Sequence, residues 1–449
     1  MTERILGLAI YWGVWLILPV MVDGLYTLLM LTEVILKQIR TRHRSIPPVD
    51  FWPAVSVIVP VYNGEKTLAS CLESLRQQNY PQEQMEVIVV DNGSTDQTYQ
   101  IFQECQRRPF RGQMHWISIA GRGKSYALNA GLHSTSYPYI CTLDADTVMH
   151  HDALREMVRH FEADPHLGAA TGTVEVLPVS PEHQQNRIAS LIAECEFQEY
   201  LISFWLGRQG QTYNSSLYTL AGAFSFFRRE VLLQTTLYDK QTVSEDTKVT
   251  FDIRKQFGGA RLACIPEAIV YVTPTPSLSE LYSQRVRWQR GEMEVAAVYQ
   301  DLLDPNVLRL RGLVLGRTLL IDHTFIFPRL VWTFLFPALY FFGYPLSLVI
   351  SATAIIYFLY VLIAAISILT VYTIATPPIR ARLQRNWWVA AFIPAYLFVI
   401  FTFRLAGSII ALAEPPEWQV QAPWTETVIA VHSLISALQE KLSFGEGGN

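Results

Sequence analysis

Long apolar blocks lie towards both ends of the chain and enclose a stretch of mixed polar and apolar residues. The first block runs from about Ile5 to Ile35. A helix needs about 20 residues to cross a bilayer, so this block predicts one long or tilted transmembrane helix. It is too long for the core of a signal peptide, and no small-residue cleavage site follows it at a suitable place.

The C-terminal apolar region predicts three further spans, namely Ile326–Tyr344, Leu348–Ala375 and Trp387–Ala411. Basic residues in 37–44 and 380–385 place both of these loops in the cytosol by the positive-inside rule, with a hairpin of spans between them. The half-apolar stretch Val307–Asp322 predicts an interfacial helix, although a crossing there would change the side of the tail.

Helical spacing returns in the tail, where the apolar residues are Val428, Val431, Ile435, Leu438 and Leu442. A helix lying on the membrane and a helix packed on the spans both fit this pattern. Arg329 and Arg404 lie within apolar stretches, where an arginine either lines a polar path or reaches the interface.

The central stretch has the pattern of an α/β domain. Its continuous apolar runs are Val55–Val59, Glu86–Val90 and Tyr139–Leu143, as expected of strands buried on both faces. Apolar residues recur with helical spacing in 68–75 and 154–161. Alternating strands and helices predict a mostly parallel sheet.

These patterns divide the chain into four predicted parts. They are an N-terminal transmembrane segment with a basic flank (1–44), a cytosolic α/β domain (45–311), an interfacial helix with about three transmembrane helices (312–412), and a tail with an amphipathic helix (413–449). Only 16% of the residues are charged, against roughly 25% in a typical soluble domain, which fits this mixture.

Charge and cysteine usage exclude some classes of function. The net charge of −4 gives no general affinity for nucleic acid. The five cysteines are far apart and form no C-x-x-C pair, so we expect reduced, mostly buried thiols in a cytosolic domain.

Polar residues follow the ends of the three predicted strands. The stretches are Pro60-Val61-Tyr62-Asn63-Gly64-Glu65, Asp91-Asn92-Gly93-Ser94-Thr95-Asp96 and Asp144-Ala145-Asp146. Each alone also fits a turn or a helix cap. Together they predict a ligand site, because ligands collect at the carboxyl ends of parallel strands. The ligand-binding candidates here are Pro60, Tyr62, Glu65, Asp91 and Asp144.

Asp144 and Asp146 are two residues apart at a strand end, which predicts both side chains on one face. Adjacent carboxylates repel unless a cation lies between them, and Mg²⁺ typically binds one or two carboxylates together with substrate phosphate. Such a cation would neutralise charge on a diphosphate leaving group. A turn with both acids solvated is the alternative.

Downstream residues add charges of both signs. Lys124 lies in a Gly-rich stretch that lacks P-loop spacing, yet it can reach a phosphate as a point charge. Glu245 and Asp246 follow Ser244, and a carboxylate there is suited to remove the proton from an attacking hydroxyl. The alternative is a helix that begins at Ser244, since acids favour the first turn.

Gln284, Arg287 and Trp288 recur at i, i+3 and i+4 and therefore share one predicted helix face. Arg287 offers a bidentate fork to a pyrophosphate, and Trp288 offers a flat surface for a sugar ring. An ordinary amphipathic helix has the same spacing, so the function of this face depends on its context.

The motifs, taken in order, resemble those of glycosyltransferase family 2. Within it they are similar to the processive membrane enzymes that make hyaluronan, chitin, cellulose and poly-N-acetylglucosamine, including the Q-x-x-R-W signature at Gln284–Trp288. The resemblance covers roughly Ala54 to Gly291. More narrowly, the chain resembles the glycosyltransferases associated with exosortase loci in Gram-positive bacteria.

The resemblance implies a GT-A fold, a UDP-sugar donor and inversion at the anomeric carbon. It implies Mg²⁺ or Mn²⁺ at Asp146 with Asp144, and it assigns Asp91 to the uridine, Asp144 to the nucleotide, Asp246 with Glu245 to the base, and Trp288 with Gln284 to the acceptor. The stretch Leu220–Arg229 resembles the acceptor-side segment of these enzymes, which adds Phe226.

The expected activity is sugar transfer to a growing polysaccharide at the cytosolic face of a bacterial plasma membrane. The alternatives are a single-sugar transferase acting on a polyprenyl-phosphate or lipid-linked acceptor, and a non-catalytic nucleotide-sugar-binding regulator of a synthase. About four predicted spans are fewer than in most polysaccharide synthases. The expected partners are therefore the donor, the acceptor, membrane lipids, and an export or synthase subunit or a second copy, without nucleic acid.

Overall fold

A computed structural model gives the structure of the chain. It describes residues 18–41, 49–121, 123–179, 186–213, 215–239, 242–257, 261–299, 338–413 and 425–445. The predicted interfacial helix Val307–Asp322, Arg329 and most of the predicted span Ile326–Tyr344 lie outside these residues.

An eight-stranded sheet with the order β3-β2-β1-β4-β7-β6-β8-β5 forms the centre of the α/β domain. Its strands are β1 (Val55–Val61), β2 (Met85–Asp91), β3 (Gln113–Ser118), β4 (Tyr139–Leu143), β5 (Val148–Met149), β6 (Leu167–Val176), β7 (Phe224–Arg228) and β8 (Arg261–Val272). Four of the seven strand pairings are parallel, and β7 and β5 provide the three antiparallel ones. The α/β class and the mostly parallel sheet are confirmed.

The described helices surround the sheet and continue beyond it. Those of the first 300 residues are α1 (Leu18–Thr41), α2 (Leu68–Arg76), α3 (Thr98–Gln106), α4 (Lys124–His133), α5 (Ala153–Ala163), α6 (Arg187–Tyr200), α7 (Arg208–Tyr213), α8 (Arg229–Leu233), α9 (Glu245–Gln256) and α10 (Leu278–Val298). A π-helical turn, Leu201–Gly207, joins α6 to α7. The C-terminal helices are α11 (Leu346–Ile374), α12 (Pro377–Arg385), α13 (Ile393–Ala413) and α14 (Thr425–Gly445).

The three predicted strands are mostly apolar because both faces of the sheet are covered, and Ser56, Glu86 and Thr142 are their buried polar exceptions. Val57 and Val59 face a core shared with α2 and α5, whereas Ile58 faces a second core shared with α4 and α9. Strand residues alternate between the two faces, so a strand buried on both sides has no polar alternation. The strands β3 and β5–β8 carry no such uniform run and were not predicted from the sequence.

Helix α4 approaches the sheet closely at a glycine. A Cβ atom at Gly131 would lie 2.5 Å from Cγ2 of Ile58 and 3.3 Å from Cγ2 of Val90. The missing side chain therefore sets the distance between α4 and the strands β1 and β2.

Two described helices, α11 and α13, are long and apolar enough to cross a membrane, with mean hydropathies of 2.6 and 2.0. On α11, Ile355, Phe358 and Leu369 are 61%, 60% and 62% exposed. A helix in a soluble core would bury these side chains, whereas lipid accommodates them. The predicted span at 387–411 is shifted, because a 3₁₀ segment occupies Trp387–Ala391 and α13 begins at Ile393.

Helix α14 shows the packing on a span that was one of the two placements predicted for the tail. Ala430 is fully buried in a cluster with residues of α13, such as Ile410. Val428, Val431 and Ile435, which belong to the predicted apolar face, are exposed. One side of α14 therefore packs on α13, and an apolar stripe remains on another side.

We expect Gly131→Ala to destabilise the α/β domain, by about 1–3 kcal/mol, because its Cβ would overlap Ile58 in a closely packed core. Denaturant unfolding of the purified protein, followed by tryptophan fluorescence, measures this. Gly24→Ala is the matched control, since its Cβ would meet Ile363 at an ordinary 3.6 Å. Equal stability of the two variants would contradict the close approach of α4.

Candidate active site

The loops after β1 and β2 are tied together at the carboxyl edge of the sheet. The Asn63 amide donates to Ser94 Oγ at 2.9 Å, and the Thr95 amide donates to Asn63 Oδ1 at 2.9 Å. Asn63 has a φ of +50°, a conformation that asparagine tolerates better than most residues. Two of the three predicted strand-end stretches therefore form one connected surface.

Glu65 and Asp96 hold this surface in place. The Glu65 amide donates to Asp96 Oδ2 at 3.1 Å, and Glu65 Oε2 accepts from the Gln97 amide at 3.3 Å, next to the start of α3. Asp96 Oδ1 also accepts from the Thr98 amide at 3.1 Å, as the helix-cap alternative expects. In this structure the Glu65 carboxylate positions the loops, and its predicted contact with a nucleotide stays a prediction.

Asp91 and Tyr62 border the same edge. The buried Asp91 carboxylate accepts from the Ser94 amide at 3.0 Å and from Ser118 Oγ at 3.4 Å, whereas Tyr62 is exposed. Pro60 differs from the prediction because it is buried inside β1, which extends to Val61. The pairing of β1 with β4 ends at Ile58, so a residue without an N–H is tolerated at position 60.

Asp144 and Asp146 lie in a turn and not on the strand. Strand β4 ends at Leu143, and the Thr147 amide donates to the Asp144 carbonyl at 3.0 Å. The argument from strand alternation was therefore wrong, although the turn still brings the two carboxylates close enough for Asp146 to raise the pKa of Asp144. Asp146 is exposed and Asp144 is half-buried.

Lys124 connects this turn to a distant part of the chain. Its Nζ lies 2.6 Å from Asp144 Oδ1 and 3.1 Å from Glu245 Oε1. Burial lowers the pKa of Lys124, but the two carboxylates outweigh this and raise it above its usual range. Gly123, with a φ of +136°, precedes Lys124 and donates its amide to Asn92 Oδ1 at 2.7 Å. The start of α4 is thus fixed against the loop after β2.

Glu245 and Asp246 form the first turn of α9, as the helix-start alternative expects. Ser244 is the N-cap residue, but its side chain makes no capping hydrogen bond. Asp246 Oδ1 accepts from the Thr247 amide at 2.8 Å. Burial and the neighbouring Glu245 raise the pKa of Asp246 to about 6, and burial raises that of Asp144 to about 6. Both groups are therefore largely deprotonated at neutral pH.

Gly222 leaves space beside this cluster. A Cβ atom there would lie 3.2 Å from both Asp246 Oδ2 and Lys124 Nζ. A small cavity lined by Lys124, Glu245 and Asp246 adjoins this glycine. A side chain at position 222 would fill the space between the cation and the predicted base.

The position of Phe226 differs from its predicted role in binding the acceptor. Its side chain is fully buried in β7, where its ring centroid lies 5.4 Å from Tyr139 and 4.9 Å from Phe161. A core residue of this kind cannot contact an acceptor, so Phe226 stabilises the sheet. The segment Leu220–Arg229 contributes Gly222 to the site instead.

Helix α10 brings Arg287 to the acidic cluster. Burial lowers the pKa of Arg287, and the charges of Glu245, Asp144 and Asp146 oppose that effect. A second cation therefore lies within electrostatic reach of Asp144 and Glu245, the two carboxylates that Lys124 contacts. Gln284 lies one turn earlier, and its Oε1 has no hydrogen-bond partner among the described residues.

Trp288 belongs to an aromatic group that the sequence analysis missed. Its ring centroid lies 5.7 Å from Phe204 and 6.4 Å from Tyr200, and the Arg285 guanidinium lies 4.3 Å from it. Tyr200 and Phe204 are four residues apart at the junction of α6 with the π-helical turn. Their helical spacing was visible in the sequence, but its relation to Trp288 was not.

A buried network anchors α10 to α13. Arg285 forms an ion pair with Glu199 at 2.6 Å, and Tyr396 donates its hydroxyl to Glu199 at 2.8 Å. A Cβ atom at Gly407 would lie 2.8 Å from the Val286 carbonyl oxygen, so the two helices touch there. The helix that carries Arg287 and Trp288 is thereby fixed to one of the two apolar helices.

The mixed sheet, with carboxylates gathered at the ends of its parallel strands, defines an α/β domain of the GT-A type. Residues 56–235 match the model of Glycosyl transferase family 2, and the chain therefore contains a domain of that family. This match confirms the resemblance read from the motifs.

Curated relatives resemble a part of the chain. Poly-beta-1,6-N-acetyl-D-glucosamine synthase of Staphylococcus aureus strain COL is 27% identical over 248 residues, which are 55% of this chain and 56% of the relative. The synthase of the same name from Staphylococcus epidermidis is 26% identical over 258 residues, 57% of each chain. The chain thus spans just over half the length of these relatives.

A solved structure supports the fold over most of the chain. A mannosyltransferase from Pyrobaculum calidifontis, solved in complex with GDP-Man and Mn²⁺, superposes with a TM-score of 0.57 at 17% identity. The superposition covers 89% of this chain and 99% of the mannosyltransferase. At this identity the likeness establishes the fold alone.

We expect Lys124→Met to lower the melting temperature most at pH 8 and progressively less down to pH 5. Without this cation the pKa values of Asp144 and Asp246, about 6 in the intact site, rise further. A carboxyl group with a raised folded-state pKa binds protons more tightly when folded, so stability returns as the pH falls. Thermal unfolding across this pH range measures the difference from the unmutated protein.

Lys66→Met is the control for Lys124→Met, because Lys66 is an exposed lysine near the same edge of the sheet. Its melting temperature should follow that of the unmutated protein at every pH. A Lys124→Met deficit that is constant from pH 8 to pH 5 would show that Lys124 does not hold the carboxylates together.

Proposed function

We propose that the chain is an inverting glycosyltransferase that moves a sugar from a UDP-sugar to a growing polysaccharide. The observation that carries this proposal is the contact of Lys124 with both Asp144 and Glu245. It joins the predicted nucleotide end of the site to the predicted base Asp246 across a space left by Gly222.

The donor would lie along the carboxyl edge of the sheet. Asp91 and Tyr62, with the loop that Glu65 organises, border the nucleoside end. Lys124 and Arg287 supply positive charge for the diphosphate, with Arg287 able to grip two oxygens at once. The aromatic surface at Trp288 is suited to the apolar face of an acceptor sugar, and Gln284 offers an acceptor hydroxyl a hydrogen-bond partner.

In the proposed reaction an acceptor hydroxyl oxygen forms the new bond to the anomeric carbon of the donor. The bond from that carbon to the diphosphate oxygen breaks, and UDP leaves with the electron pair. Asp246 takes the proton of the hydroxyl, a task for which a carboxylate with a pKa of about 6 is suited at neutral pH. Glu245 shares Lys124 with Asp144 and so fixes the cation beside the leaving group.

The residues present suit a divalent cation of the Mg²⁺ or Mn²⁺ type. Asp146 is exposed at the turn, and its carboxylate with that of Asp144 provides the oxygen donors that such ions prefer. When bound there, the ion would neutralise charge on the diphosphate. Among the described residues a second cluster, His150, His151 and Asp152, has ligand atoms within 4.8 Å of one another, so the two sites need separate tests.

The polymer as product is supported by the names of the relatives, which are poly-N-acetylglucosamine synthases. A single transfer to a polyprenyl-phosphate or lipid-linked acceptor uses the same chemistry, and product size separates the two. A non-catalytic regulator would not need Asp91, Asp144, Asp146 and Asp246 together. An export or synthase subunit, or a second copy, remains part of the proposal for a polymerase.

The proposed location is a bacterial plasma membrane, crossed several times, with the α/β domain on the cytosolic side. The exposed apolar residues of α11 and the stripe on α14 support contact with lipid. The division of the chain into four parts, with boundaries after residues 44, 311 and 412, is part of this proposal.

Asp246→Asn should lower the rate of metal-dependent UDP release on the order of a hundred- to ten-thousandfold, because an amide cannot accept the proton. The purified protein is assayed over a panel of UDP-sugars with Mg²⁺ or Mn²⁺, and the product is sized on a gel. UDP binding by calorimetry should be unchanged in the variant. Full activity of Asp246→Asn would exclude this residue as the base.

Asp146→Asn should raise the Mn²⁺ concentration that gives half-maximal UDP release, since one charged oxygen ligand is lost. Titration of Mn²⁺ at saturating donor measures the shift. Asp152→Asn is the matched control from the His150 cluster and should leave the titration unchanged. The opposite pattern, with Asp152→Asn shifted and Asp146→Asn normal, would move the metal to the histidine cluster.

A further inference from the structure

Helix α7 begins with a buried arginine. Arg208 follows the π-helical turn directly, and only 7% of it is exposed. Its Nη1 has no hydrogen-bond partner in the described part of the chain, and no ion pair recorded there includes it. Burial of a guanidinium without an ion pair is costly, so the position calls for a partner.

The surroundings of Arg208 connect it to the candidate active site. Its guanidinium lies 4.5 Å from the ring centroid of Phe204, which in turn contacts Trp288. Burial lowers the pKa of Arg208, and the charge of Asp246 opposes this effect. Arg208 is therefore adjacent to the aromatic group and within electrostatic reach of the proposed base.

Two neighbouring glutamines on α7 also have a buried polar atom without a hydrogen-bond partner. Gln209 is 4% exposed and its Nε2 has no partner, and Gln211 is 9% exposed and its Oε1 has none, within the described residues. Buried polar atoms without a partner are uncommon, and each calls for an explanation such as a water, an ion or a ligand. π-helical turns are also frequent at functional sites. Of the three side chains, Arg208 is the one that contacts the aromatic group, and the hydroxyl oxygens of a carbohydrate can accept hydrogen bonds from its guanidinium.

We propose that Arg208 is an acceptor-binding residue, whose guanidinium donates hydrogen bonds to oxygens of the terminal acceptor sugar while that sugar packs on Phe204 and Trp288. The inference rests on the proposed function and adds the end of the π-helical turn to its acceptor site. The donor diphosphate has Lys124 and Arg287 as its cations. The contact of Arg208 with Phe204, which packs on Trp288, places it on the acceptor side of the site.

The experiment compares Arg208→Gln and Arg208→Lys with the unmutated protein. Cello- and chito-oligosaccharides serve as acceptor probes, and their binding is measured by calorimetry without donor. Kinetics then give kcat, the acceptor KM, the donor KM and the rate of donor hydrolysis without acceptor. We expect Arg208→Gln to weaken oligosaccharide binding and raise the acceptor KM about ten- to a hundredfold, as for the loss of charged hydrogen bonds. Arg208→Lys should lie between.

Arg155→Gln is the matched control. Arg155 also lies over an aromatic ring, 5.3 Å from the centroid of Trp52, but it belongs to α5 near the amino end of β1. Its acceptor KM should equal that of the unmutated protein. If the Arg208→Gln variant also loses UDP binding, it has lost its fold. The test then depends on Arg208→Lys, which should keep UDP binding and show a raised acceptor KM.

The outcomes separate this inference from the proposed function. Oligosaccharide binding that depends on Arg208, in a protein that releases no UDP from any donor, would remove the proposed activity and keep the acceptor site. UDP release with an acceptor KM that is unchanged in both Arg208 variants would keep the activity and overturn the inference. A raised donor KM with a normal acceptor KM would overturn it too.

Discussion

The contact of one lysine with two carboxylates organises the centre of this protein. Lys124 starts α4 and meets Asp144 from the turn after β4 and Glu245 from the start of α9. Asp144, Glu245 and the neighbouring Asp246 are buried or half-buried carboxylates that would repel one another without a cation among them. This repulsion would oppose folding of the protein. The elements that carry them are far apart in sequence, and this charge balance stabilises their meeting at the edge of the sheet, beside the backbone pairing of β4 with β7.

Much of the central fold followed from the sequence because the strands β1, β2 and β4 are buried on both faces. Such strands are continuous apolar runs, and the helices between them keep a regular apolar spacing. The strands β6, β7 and β8 were not predicted. β6 and β7 mix Gly, Thr and Ser into their buried positions, as at Gly172 and Ser225, so they lack a uniform pattern.

The candidate site was predicted in part for the same reason. Asp144 and Asp246 were recognisable as chemical groups, but their convergence on Lys124 depends on tertiary packing that no local spacing reveals. Asp144 and Asp146 lie close together as predicted, but they do so in a turn and not by strand alternation. A turn and a strand end look alike in sequence. Phe226 was assigned from its motif alone, and its burial among Tyr139 and Phe161 decided otherwise.

The burial of Arg208 is not visible in the sequence, because nothing in its local pattern distinguishes a buried arginine from an exposed one. Its spacing from Tyr200 and Phe204 was helical throughout, yet only the structure relates this stripe to Trp288. Only the structure likewise relates Glu199 of α6 to α10, through its ion pair with Arg285.

The network of Glu199, Arg285 and Tyr396 has a practical consequence for any preparation of the protein. Tyr396 belongs to α13, so the solvent around that apolar helix acts on the position of Arg287 through two buried contacts. Where α13 crosses a bilayer, lateral pressure and hydrocarbon thickness become inputs to the geometry of the site. The choice of detergent or nanodisc lipid then sets more than solubility, because it acts through α13 on α10, the helix that carries Arg287.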